Sequence, residues 1–99
     1  MTYIKNLVAE IKDELDSAKE YAEKAIEYNA KRDSTHYKMF YDMANDELRH
    51  RGNLHNLVVS EIETISKVYT PPVEMLDIWE HAHKEYVERA RWIKKMLEL

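Results

Sequence analysis

The chain has 99 residues, 44% of them apolar and 34% charged, with a formal net charge of −4, which leaves room for one core and none for two. It contains no cysteine, so a disulfide framework, a thiolate metal site and a cysteine nucleophile are excluded. No Lys/Arg stripe offers nucleic acid a footprint, no apolar run approaches the ~18 residues of a membrane span, and the amino end reads as an amphipathic helix, not a signal peptide, so the expected location is cytoplasmic.

One glycine and two prolines in the whole chain leave almost no turn chemistry, so the expected fold is all-α, with few connections and three long helices. The first helix is expected from about Tyr3 to Ala30. Its apolar stripe is Ile4, Leu7, Val8, Ile11, Leu15, Ala18, Ala22, Ala25 and Ile26, and the run of alanines predicts a close helix contact. The opposite face carries Glu20 with Lys24 and Glu27 with Lys31 in the favourable i, i+4 order. Glu14 falls at the edge of the apolar stripe, away from that charged face, where an ordinary boundary glutamate would also sit.

Lys31–Ser34 is the only plausible break before Met39, with Asp33 or Ser34 as the N-cap of the next helix. A connection this short folds the two helices into an antiparallel pair. The second helix is expected from Thr35 to about Val68, with Phe40, Met43, Ala44, Leu54, Val58, Ile62 and Ile65 on its apolar side. At ~100° per residue Glu47 falls within that stripe, and His50 lies one turn on along the same side. An isolated carboxylate in a packed core costs several kcal/mol unless it is paired, protonated or metal-bound. Acid and imidazole at i, i+3 on an inward face are how helix bundles present ligands to iron or manganese. A buried ion pair of Glu47 with a histidine, with Arg49 or Arg51, or with a partner helix reaching in accounts for the same pattern. Glu61 is a second inward acid, while His36 and His55 read as structural. Gly52, inside the helix, predicts either a backbone packed against it or a local irregularity.

Thr70-Pro71-Pro72 ends this helix and starts another. The third helix, about Pro72 to Glu98, is expected to bury Leu76, Trp79, His83, Tyr86, Val87, Ala90, Ile93 and Leu97. Glu80 and His83 repeat the Glu-x-x-His spacing. The chain therefore reads as a single domain over 1–99, with a helical hairpin over 1–69 and a third helix over 70–99.

Glu14, Tyr21 and the run Met43-Ala44-Asn45-Asp46-Glu47-Leu48-Arg49-His50 resemble the iron-site hairpin of the ferritin-like superfamily, of the rubrerythrin and half-length encapsulated-ferritin sort. The resemblance covers about residues 7–60 and implies that Glu14, Glu47 and His50 are metal ligands. Such half-length chains pair, so it also implies a homo-oligomer, a dimer or a multiple of one, in which two copies supply four carboxylates and two imidazoles to a two-metal site. Iron or manganese suits that ligand set, and zinc would also bind it. The implied activity is ferroxidase-like oxidation or handling of ferrous iron. Counted outward from a turn at residue 33, Glu47 and His50 lie opposite residues 16–19, with Glu14 a helical turn further along. Folded straight back at Pro71, Glu80 and His83 come level with Val58–Glu61, some ~15 Å from His50. They join its site only by reaching a neighbouring chain, and otherwise form a polar cluster with Glu61. The alternative function is a metal-free helical assembly module using Tyr37, Tyr41, Trp79, Tyr86 and Trp92 as interface residues.

Overall fold

A computed structural model describes residues 2–98, and among these the secondary structure is three helices and no strand. They are α1 (Thr2–Ala30), α2 (Ser34–Ser66) and α3 (Val73–Leu97), within two residues of the expected bounds at every end. The first turn is built around Arg32, the one non-glycine residue with positive φ (59°) among those described. Its left-handed backbone lets the Asp33 amide donate to the Tyr28 carbonyl at 3.0 Å, closing the end of α1. Asp33 then caps α2, its Oδ1 accepting from the His36 amide at 3.1 Å. Thr70–Pro72 breaks the chain before α3, and the Pro72 carbonyl accepts from the Met75 amide at 3.1 Å.

The bundle is a rod of 56 × 18 × 17 Å, with α1 as its middle member. Both α2 and α3 pack chiefly on α1. Accordingly α1 buries seven residues, Ile4, Leu7, Ile11, Leu15, Ala18, Ala22 and Ala25, whereas α2 buries only Ala44, Leu48 and Val58. The three alanines are essentially solvent-free, as expected of a close contact. Between α1 and α2 the contacts run in steady register: Tyr28 stacks on His36, Phe40 stacks on both Tyr28 and Tyr21, and Glu14 meets His50. Arg89 of α3 donates to Asp16 of α1 at 2.7 Å, and this bond holds the Asp16 carboxyl below its ordinary pKa.

Several expectations change. On α3 the buried face is Met75, Trp79, Ala82, Tyr86, Ala90 and Ile93, about one residue round from the expected stripe, and Leu76 and Val87 are exposed. The reason is that α3 packs chiefly on one helix, so only a narrow face is covered and the broad stripe's edge stays wet. Ile26, at the edge of the α1 stripe, is exposed as well. On α2, Leu48 is buried and Glu47 is not. Gly52 has neither a packed neighbour nor an irregular backbone: α2 runs through it, and a Cβ added there would meet nothing within 4 Å. Gly52→Ala is therefore expected to stabilise the fold by about 1 kcal/mol, the helix-propensity difference. Urea unfolding reads this directly, and a loss of stability would show that the position is covered in solution.

Candidate metal centre

Glu14 projects from the middle of α1, and Glu47 and His50 lie one turn apart on α2. One ligand atom from each lies within 4.8 Å of the others, and they are the one such group of three among the described residues. His50 Nδ1 is 3.5 Å from Glu14 Oε2 and 3.9 Å from Glu47 Oε2. The Glu14 side chain is 27% exposed, Glu47 23% and His50 45%. The group is thus shielded from below by α1 and α2 and open on one side, where ligands from outside the chain could complete it.

The register explains why these three meet. The turn pivots at Arg32, one residue before the expected centre, and each residue by which the pivot moves shifts the pairing by two. His50 therefore lies level with Glu14 itself, and the gap of one helical turn expected between them is absent.

Glu14 Oε2 is buried without a hydrogen-bond partner; its approach to His50 lacks hydrogen-bonding geometry. A buried carboxylate oxygen left in this state costs about 1–3 kcal/mol or more. No arginine answers for Glu47: Arg49 pairs with Asp46 at 3.4 Å, and neither Arg49 nor Arg51 forms an ion pair with Glu47 among the described residues. The arginine form of the ion-pair explanation therefore lacks its partner among the described residues, while the histidine form keeps one in His50, 3.9 Å from Glu47. Two carboxylates and one imidazole converging with an unsatisfied oxygen make a donor set suited to a divalent cation. Glu47 also keeps some contact with water, so the burial cost that first singled it out is only partly incurred.

Glu80 and His83 are elsewhere. Glu80 is exposed, and His83 contacts His55 with ring centroids 4.9 Å apart while stacking on Trp79 at 5.3 Å. Around α1, Glu14 and Asp16 are ~200° apart, so the group containing Glu14 and the α3 contact made through Asp16 occupy different flanks. The cluster that does form around His83 includes neither Glu61 nor Glu80 as an ion-pair partner among the described residues. It holds instead His55, which the sequence marks as structural, and Trp79, with Arg51 near His55. The signal for Arg51 and His55 was present in the spacing: Ala44, Leu48, Arg51, His55, Val58 and Ile62 form a line of alternating four- and three-residue steps through the centre of the α2 contact face.

No protein-family model, no curated protein and no solved structure matches this chain.

Proposed function

We propose that Glu14, Glu47 and His50 bind a divalent metal ion, and that two chains share a two-metal site of the ferritin-like kind, built on the antiparallel α1–α2 hairpin. The observation that carries this reading is the convergence of three ligand atoms around an unsatisfied buried carboxylate oxygen. The open side of the group gives a second copy a route to the remaining coordination positions. Iron or manganese fits the mixed carboxylate–imidazole set, with zinc a competitor. Ferrous iron is the proposed substrate, held by Glu14 and Glu47 and oriented by His50, and bound metal would supply the redox or Lewis-acid chemistry. The reading carries with it a cytoplasmic homo-oligomer with no nucleic-acid partner.

A metal-free assembly module is the competing reading. It draws on Trp92, exposed at 61%, but Trp79 and Tyr86 are buried inside the chain and are not free to serve as its interface. Titrating metal-stripped protein with manganese, zinc and, anaerobically, ferrous iron, while following sedimentation, separates the two. The expected result is about one ion per chain and metal-dependent dimerisation. Saturating metal that neither binds nor alters the sedimentation would leave the assembly module standing.

A further inference from the structure

Along the centre of the α2 contact face two consecutive positions, Arg51 and His55, are polar where the neighbouring steps are Leu48 and Val58. From α3, His83 is laid against His55. The His55 and His83 rings are 4.9 Å apart, and Trp79 packs on both, at 5.2 Å from His55 and 5.3 Å from His83. These rings join α2 to α3, both of which pack chiefly on α1. Three potential cations thus meet in one layer of the bundle with no acid opposing them. The histidine–carboxylate pairs among the described residues belong to His36 and His50. Two nitrogens of the layer, Arg51 Nε and His83 Nδ1, are buried and have no hydrogen-bond partner.

We propose that Arg51, His55 and His83 form a proton-sensitive latch between α2 and α3, closed while His55 is neutral and loosened when it takes up a proton. With both rings neutral, the His55–His83–Trp79 stack is an aromatic contact that tolerates one neighbouring guanidinium. A proton on His55 places a second positive charge near Arg51, in a half-buried layer where screening by water is reduced.

The surroundings supply no relief. On α3, Glu80 and Lys84 flank His83 but are exposed. At this level of α1 the charged residues Glu10 and Lys12 are exposed, and Asp13 and Asp16 act instead on Tyr86, with Asp16 bonded to Arg89. The sign follows. Burial, then His83 and Arg51, lower the pKa of His55 from its ordinary 6.5. Below pH 6.5 the open form therefore takes up a proton that the closed form resists, and closure weakens as the pH falls. At neutral pH and above the latch is fully closed. Acidification of a magnitude found in many cellular compartments would then release the α2–α3 contact while the broader α1–α3 contact holds, uncovering Trp79 and the layer beneath it.

Hydrogen–deuterium exchange on the full chain, kept metal-free with a chelator so that metal binding does not vary with pH, tests this at about pH 7.5 and about pH 5.5. Each rate is corrected for the intrinsic pH dependence of exchange. The expected result is a loss of protection by a factor of about three or more in peptides around Trp79–Val87, with the Asp16–Ala25 segment of α1 unchanged. His55→Gln and His83→Gln, approaching the contact from opposite helices, should each reduce that pH response, whereas His81→Gln, at an exposed position, should preserve it. Equal protection at the two pH values in wild type would overturn the latch. So would a loss spread evenly over all three helices, or a response that survives both His55→Gln and His83→Gln.

Discussion

Glu47→Gln is expected to strip the bound metal while leaving the melting temperature unchanged or higher. Glutamine keeps the shape of the side chain but removes the negative charge that a divalent ion requires, and a lost ligand should weaken binding by at least ~100-fold, beyond what losing an outer-shell partner costs. Without metal, Glu47 faces Glu14 across His50, so neutralising one carboxylate relieves repulsion. His50→Ala should lose metal likewise. Glu20→Gln should not, because Glu20 is exposed and pairs with Lys24 at 3.6 Å on the far face of α1. Were Glu47 half of a buried ion pair, its neutralisation would instead cost about 3–5 kcal/mol and involve no metal. Elemental analysis and thermal melting of the same samples tell these outcomes apart. Metal-free wild type together with a destabilised Glu47→Gln would sink the metal-binding function.

The largest effect on the fold itself is expected at Leu15. Its side chain is fully buried, in the middle of the helix on which both others pack. Leu15→Ala should cost about 2–5 kcal/mol through lost transfer energy and an unfilled cavity. For a domain this small that is a large share of a total stability of about 5–15 kcal/mol. Ile26→Ala, which removes a side chain already 36% exposed, should cost less than half as much. Chemical denaturation of the two variants provides the comparison. A similar loss at both positions would mean that α1 is not the middle member of the bundle in solution.

The helices were legible because their signals are local. The apolar period, the lone glycine, Asp33 as a cap and the Pro71-Pro72 stop each act within a few residues, and the ends came out almost where these place them. Which face of each helix is covered depends on how many neighbours it has, which periodicity does not encode. Hence the stripe from Ile4 to Ala25 matches the buried face of α1, on which both other helices pack, while Leu76 and Val87 lie outside the narrow face that α3 presents chiefly to α1. The convergence of Glu14, Glu47 and His50 depended on the pivot of one turn, and a single-residue error at Arg32 displaced the pairing by two. The meeting of His55 with His83 was not legible because it depends on how α3 is placed after Pro72, which no local spacing on α2 encodes.

A rod 56 Å long and 18 Å across spans fewer than two helix diameters of about 10–12 Å in section. No point inside it lies further than about a side chain's length from water, and this has a kinetic consequence for whatever is held at Glu14. An ion there would enter and leave without any helix having to move, its lifetime set by the strength of its ligand bonds and not by a gate. Long retention, or protection of a reactive species from solvent, would have to be conferred by a second chain closing over the exposed edge of His50. Insulation, in such a slender molecule, is a property of the assembly and not of the fold.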